Sequence, residues 1–193
     1  MLKRVCVFCG SSDGARSCYR EAAATLGRVL AARRIEVVYG GGNVGLMGAL
    51  ADAALGAGGE VIGVIPEHLV AKELAHRGVD LRIVHSMHER KALMADLADA
   101  FIALPGGYGT LEEFCEVLTW SQLGLHAKPC GLLNVGGYYG GLLGLFDHAV
   151  AEGFVRRQSR DLVVVDDDPR DLLDRLAVWQ APPLERWIDR DER

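Results

Sequence analysis

Residues Leu104 to Glu113 read LPGGYGTLEE, and their order brings an anion site and two carboxylates together. The run before the glycines, Phe101-Ile102-Ala103-Leu104, has the unbroken apolar character of a parallel strand buried on both faces. The apolar pattern of Leu111 to Leu125 predicts a helix after them. At such a junction the first N–H groups of the helix lack intrahelical acceptors and the positive end of its dipole is exposed. Gly106, Gly107 and Gly109, with Tyr108 and Thr110 between and after them, let a ligand approach the backbone closely. Glu112 and Glu113 follow at once. A loop built only to hold phosphate gains little from that negative charge, so the pair points to chemistry beside a bound phosphate. Thr110 and Glu113 also satisfy the T-x-x-E capping box, which needs no ligand. On these residues alone both readings stand.

Three other groups fall after strand-like runs: Gly10-Ser11-Ser12, the stretch GGGNVGLMG from Gly40 to Gly48, and MHERK from Met87 to Lys91. Gly40, Gly42 and Gly45, with Gly41 and Asn43 between them, match G-x-G-x-x-G, and Glu67 follows at about the distance of a ribose-binding acid. Against a dinucleotide site, the fingerprint belongs to the first strand–helix turn, which here reads CGSS. A second glycine loop with carboxylates also has no part in hydride transfer. Arg90 and Lys91 open a predicted helix over Met87 to Leu97, where positive charge costs roughly 0.3–1 kcal/mol against the dipole. A bound anion would offset that cost.

Strand-like runs recur at Leu2–Phe8, Ile35–Tyr39, Val61–Ile65, Leu81–Val84, Phe101–Leu104, Gly131–Leu133 and Leu162–Val165, separated mostly by helix-like runs such as Tyr19 to Arg33. This alternation predicts an α/β fold, a single Rossmann-like domain with an open parallel sheet and helices on both faces. The domain is expected over residues 1–180, with a charged C-terminal tail over 181–193 that frays or docks through Trp187. A length of 193 residues, half of them hydrophobic, is enough for one sizeable core. The net charge of −5 offers no electrostatic footprint for nucleic acid or an anionic membrane. The N-terminus runs directly into a strand without a signal-peptide pattern, and a cytoplasmic protein is expected.

The five cysteines sit mostly in apolar runs, as buried thiols in a reducing compartment do. Cys6 and Cys9 form a C-x-x-C, but no second Cys or His pair lies at zinc spacing, and they read as structural. His85 and His88 lack a third ligand. No metal and no cofactor are expected. Leu111, Phe114, Val117, Leu118, Trp120, Leu123 and Leu125 form an apolar set too broad for one buried stripe, which predicts a homodimer.

Taken together, CVFCGSS, VYGGGNVGLMG, VIGVIP, MHERK, ALPGGYGTLEE, TWSQLG and LLNVGGYYGGLL resemble the Lonely Guy family, cytokinin riboside 5′-monophosphate phosphoribohydrolases often labelled lysine decarboxylase-like. The resemblance spans nearly the whole chain, and its paired signature is R-K followed by P-G-G-x-G-T-x-x-E. It implies a Rossmann-like homodimer that hydrolyses the N-glycosidic bond of an adenosine-type 5′-monophosphate to free base and ribose 5-phosphate. It further implies Arg90 and Glu113 as the catalytic pair. Substrate contacts would come from Glu73, Lys91, the stretch Gly106 to Glu112 including Leu111, and Thr119. Two departures stand out. Gly136 replaces the Asp that relatives often carry in N-V-D-G-Y-Y, and Glu73 lies in a loop of variable length.

Two rival classes are weighed beside this one. A pyridoxal-phosphate decarboxylase needs a Schiff-base lysine. Of the four lysines, Lys3, Lys72, Lys91 and Lys128, only Lys91 falls in a candidate site. A non-catalytic nucleotide carrier or sensor explains both glycine loops and leaves Glu113 as a capping residue, but gives no reason for the Arg90 and Glu113 match.

Overall fold

The computed structural model describes residues 2–70 and 75–182. Glu73, and residues 183–193 with Trp187, lie outside the described residues. The elements in chain order are β1 (Arg4–Phe8), α1 (Ser17–Ala32), β2 (Glu36–Tyr39), α2 (Gly45–Gly56), β3 (Val61–Pro66), α3 (Glu67–Val70), β4 (Asp80–Val84), α4 (Met87–Leu97), β5 (Ala100–Ala103), α5 (Tyr108–Gln122), β6 (Cys130–Leu133), α6 (Gly140–Ala151), α7 (Arg157–Arg160), β7 (Val163–Asp166) and α8 (Pro169–Val178). The seven strands form one all-parallel sheet in the order β4-β3-β2-β1-β5-β6-β7. The chain winds outward from β1 to β4 on one side, then returns and winds outward from β5 to β7 on the other. The carboxyl ends of β1 and β5 therefore flank the point where the winding reverses, and in open α/β sheets that is where ligands bind.

A parallel sheet buried on both faces needs two apolar layers, and both are present. One joins Val5, Val7 and Cys9 to residues of α1, α2 and α8; the other joins Cys6 and Phe8 to residues of α4 and α5. Side chains along a strand alternate faces, so residues three apart point to opposite sides. That separates the C-x-x-C pair: Cys6 and Cys9 belong to different layers and cannot serve one metal or one disulfide. All five cysteines are free. Burial raises the Cys6 and Cys9 thiols well above their ordinary value, and the Glu113 carboxylate raises both further while Arg90 opposes it. Cys130, also buried, is pushed up to about 12.

Helix α4 occupies the span expected for it, and its start is held by an N-cap serine together with a glutamate that reaches back to the residue before the cap. Ser86 Oγ accepts from the Glu89 N–H at 3.1 Å, and the Glu89 carboxylate accepts from the His85 N–H at 2.8 Å. Helix α5 begins three residues earlier than its apolar pattern suggested. Its N-cap is Gly107, with no side-chain cap hydrogen bond. Thr110 is then the third helical residue and Glu113 the sixth, so the T-x-x-E stretch is not a capping box. The error has a simple source: Tyr108 and Gly109 are neither apolar-periodic nor good helix formers, so the first turn is invisible to pattern. Among the described residues, no helix is long and apolar enough to cross a membrane.

Candidate active site

At the winding reversal the ends of β1, β2 and β5 and the starts of α4 and α5 enclose a cavity of about 230 Å³. From α4 it receives Arg90 and Met94. From the start of α5 come Gly107, Tyr108, Gly109, Thr110 and Glu113, and from the end of β1 come Phe8, Cys9, Gly10 and Ser11. Gly40 and Met47 close it from the second glycine loop.

Arg90 is 6% exposed, and its guanidinium is locked in place. Nε donates to the Val64 carbonyl at 3.1 Å, Nη2 donates to the Gly40 carbonyl at 3.0 Å, and Nη1 lies 3.8 Å from Met87 Sδ. A charge buried among fixed carbonyl dipoles needs no reorganisation when an anionic group arrives. The same contacts explain the second glycine loop. A Cβ on Gly40 would stand 2.1 Å from Arg90 Nη2, so only glycine lets the guanidinium in. Gly45 has a φ of +56°, and a Cβ there would stand 2.4 Å from the Ser11 and Ser12 backbone. The Leu46 N–H donates to the Gly10 carbonyl at 3.0 Å. The space a dinucleotide pyrophosphate would need is thus filled by Arg90 and by the Gly10–Ser12 turn, which overturns the G-x-G-x-x-G reading. Gly41, Gly42, Asn43 and Gly45 do not line the cavity. Gly41 instead accepts from the His76 N–H at 3.0 Å.

Glu113 shares the cavity with Arg90, and the two act with opposite sign on the thiols at the end of β1. Lys91, expected on the anion, is turned away from it. Its Nζ donates to Glu112 Oε1 at 2.5 Å and to Glu116 Oε1 at 3.0 Å, with the side chain 10% exposed. Burial opposes the ammonium, but the two carboxylates outweigh it and raise the lysine above its ordinary value. Four residues apart, Glu112 and Glu116 share one face of α5, and Lys91 braces that face to α4. Gly106, Leu111 and Glu112 also lie outside the lining, as does Thr119, whose Oγ1 donates to the Cys115 carbonyl one turn back at 2.7 Å.

Sequence reasoning gave no site role to Phe8, Cys9, Gly10, Ser11, Met47 or Met94. The Gly10-Ser11-Ser12 turn was visible as a strand end. Its placement against the fifth strand's loop follows from the strand order, and the Gly10 N–H donating to the Pro105 carbonyl at 3.1 Å seals it.

A family model described as possible lysine decarboxylase matches residues 47–176. A probable cytokinin riboside 5′-monophosphate phosphoribohydrolase of Oryza sativa subsp. japonica is 57% identical over 176 residues, covering 91% of this chain and 78% of that protein. A cytokinin riboside 5′-monophosphate phosphoribohydrolase of Arabidopsis thaliana is 52% identical over 186 residues, covering 96% of this chain and 86% of its own length. Among solved structures, the molybdenum cofactor carrier protein of Chlamydomonas reinhardtii aligns with a TM-score of 0.71 at 21% identity, over 93% of this chain and 100% of that one. At that identity the likeness is one of fold. More than half the residues are shared with enzymes of one named activity along nearly the full chain, and the arginine and carboxylate of the R-K and P-G-G-x-G-T-x-x-E signatures meet on one cavity. The chain belongs to the cytokinin riboside 5′-monophosphate phosphoribohydrolase family, the Lonely Guy family.

Proposed function

We propose that the protein hydrolyses the N-glycosidic bond of adenosine-type nucleoside 5′-monophosphates, AMP and N6-modified cytokinin riboside monophosphates alike, to free base and ribose 5-phosphate. The observation that carries this reading is the convergence of Glu113, the immobilised Arg90 guanidinium and the unpaired-amide start of α5 on one cavity. The N-terminal N–H groups of α5 and Thr110 hold the 5′-phosphate. Anchored there, the ribose presents C1′ to Glu113. As the C1′–N9 bond breaks, its electron pair leaves with the base and positive charge develops on the sugar. The Glu113 carboxylate stabilises that charge and takes a proton from the water whose oxygen bonds to C1′, the departing base takes up a proton from solvent to become neutral, and Arg90 orients the anionic groups around the site.

Base release from AMP, isopentenyladenosine monophosphate and adenosine, measured side by side, tests this. Both monophosphates should yield free base, and adenosine should be poorer in kcat/KM by on the order of 10²-fold, since it lacks the group that positions C1′. AMP bound and recovered intact would identify a carrier instead. Equal kcat/KM for AMP and adenosine would remove the phosphate from the start of α5.

The reading extends to a cytoplasmic homodimer. Five free thiols suit a reducing compartment. Helix α5 buries only the stripe Thr110, Phe114, Val117 and Ser121, and α6 (GGLLGLFDHAVA) buries no residue at all. Leu145 is 59% exposed and Phe154, just beyond α6, 86%. Leu142, Leu143 and Phe146 pack their inner side on the core, and the outer apolar side of α6 that carries Leu145 is what a subunit interface leaves behind in a single chain. Light scattering at micromolar concentration should return the mass of two chains, and Leu145→Asp should lower it toward one. A monomer mass for the unsubstituted protein would refute the assignment.

A further inference from the structure

The segment LLNVGGYYGGLL (Leu132 to Leu143) carries two adjacent tyrosines to which the reaction above gives no role. The chain leaves β6 at Leu133 and is tied down at once. The Asn134 N–H donates to the Asp166 carbonyl at 2.7 Å, and Asn134 Oδ1 accepts from the Tyr139 N–H at 2.7 Å. A 3-10 turn, Val135–Gly137, then brings both rings back to the end of β5. The Tyr139 hydroxyl donates to the Leu104 carbonyl at 2.6 Å, and the Tyr138 hydroxyl donates to the Gly106 carbonyl at 2.5 Å. Between them the Pro105 carbonyl accepts from the Gly10 N–H, and after them the Gly107 carbonyl accepts from the Leu111 N–H at 3.1 Å. Every carbonyl from Leu104 to Gly107 is therefore engaged.

A peptide unit is planar and trans, so its N–H points opposite to its C=O. Holding the Gly106 carbonyl on Tyr138 therefore fixes the direction of the Gly107 N–H, and Gly107 lines the cavity. We propose that Tyr138 is a positioning residue for the substrate's phosphate, its hydroxyl holding the Gly106 carbonyl aside so that the Gly107 N–H faces the anion; the Leu104 carbonyl that Tyr139 holds belongs to a peptide unit whose nitrogen is that of Pro105 and carries no N–H. This rests on the nucleoside monophosphate reading. Tyr139, 1% exposed, anchors the end of β5 from the core, and Tyr138, 42% exposed, reaches the loop from the rim. The ring of Tyr138 is held independently of its hydroxyl. It packs edge-on against Tyr19 (centroids 5.7 Å apart) and Tyr139 (5.0 Å), while Arg16 lies over Tyr19 and donates to the Gly136 carbonyl at 3.2 Å. At Gly136 the backbone carbonyl alone receives the arginine.

Because ring packing survives loss of the hydroxyl, Tyr138→Phe isolates the hydrogen bond. The test compares the unsubstituted protein, Tyr138→Phe, Tyr139→Phe and Tyr19→Leu, which removes the ring that Tyr138 packs against. Readouts are kcat/KM for AMP and adenosine, and competitive inhibition by ribose 5-phosphate and by adenine. Tyr138→Phe should lower kcat/KM for AMP about 5–30-fold and weaken ribose 5-phosphate inhibition by a similar factor, with adenosine turnover and adenine inhibition moving less than about twofold. Tyr139→Phe, which frees a carbonyl whose peptide partner has no N–H, should show no loss selective for AMP; should it fail to fold, Tyr138→Phe decides alone. Unaltered AMP turnover in Tyr138→Phe overturns the proposal. Equal losses with AMP and adenosine, or with both inhibitors, overturn it too, because that is the pattern of a merely structural contact. The same selective loss in Tyr19→Leu would assign the effect to ring packing rather than to the hydroxyl, and would overturn the proposal. If the unsubstituted protein itself shows no preference for AMP over adenosine, the monophosphate reading has failed before any variant is compared.

Discussion

Glu113→Gln is expected to lower base release by on the order of 10²–10⁴-fold while the fold and AMP binding persist. The substitution keeps the size and hydrogen-bonding reach of the side chain and removes only its charge and basicity. Helix α5 is capped at Gly107, six positions before Glu113, so the helix start does not depend on this carboxylate and stability should change by less than about 1 kcal/mol. AMP affinity should hold or increase, because one negative charge leaves the neighbourhood of the phosphate. That combination, a large fall in kcat with retained binding, marks an interaction made in the transition state. Glu112→Gln is the control. It lies about 100° round the helix, is half exposed, and shares Lys91 with Glu116, which remains. An exposed pair contributes roughly 0–1 kcal/mol, so turnover should fall little. Equal losses at the two positions, in base-release assays checked by thermal unfolding and AMP titration, would mean that the catalytic carboxylate is elsewhere.

The second large effect belongs to Arg90. Arg90→Lys keeps a positive charge but loses the planar fork that spans the Val64 and Gly40 carbonyls. Base release should fall by on the order of 10²-fold or more, the usual consequence of removing a preorganised donor. Gly40→Ala approaches the same geometry from the other side. The added methyl group falls 2.1 Å from Nη2, so the guanidinium must move, and a displacement of about 1 Å costs on the order of 10²-fold in rate. Agreement between the two variants, with melting temperatures close to that of the parent protein, would establish that the glycine loop serves the arginine. Full activity in a folded Gly40→Ala would show that the exact seat of the guanidinium does not matter.

Both variants concern features that differ in how far they were visible in the amino-acid order. All seven strands lie where apolar runs place them, to within about two residues, because a strand covered on both faces has to be apolar throughout. Helix α4 coincides with its expected span, Met87–Leu97. The α5 start and the apparent T-x-x-E box do not, because a glycine-rich first turn carries no periodicity to read. The C-x-x-C pair resolves once Cys6 is placed in β1 and Cys9 just beyond its end, since the alternation of that extended run sends them to opposite layers.

What the sequence determined by itself is the order of strands and helices and the glycine-rich strand–helix junction at Pro105 to Thr110, whereas the pairing of Arg90 with Glu113 was implied only by the family resemblance. The order and the junction depend on periodicity and residue type within a few positions, which local sterics and burial enforce. What fills each glycine loop was decided only in three dimensions. Gly40 meets Arg90 across 50 positions, Lys91 leaves the anion for Glu112 across 21, and Tyr138 takes the Gly106 carbonyl across 32. Each of these is a choice between a ligand and another part of the chain for the same backbone or charged group. The winding of the sheet settles that choice, because it brings the carboxyl ends of β1 and β5 together and turns the neighbouring segments toward them.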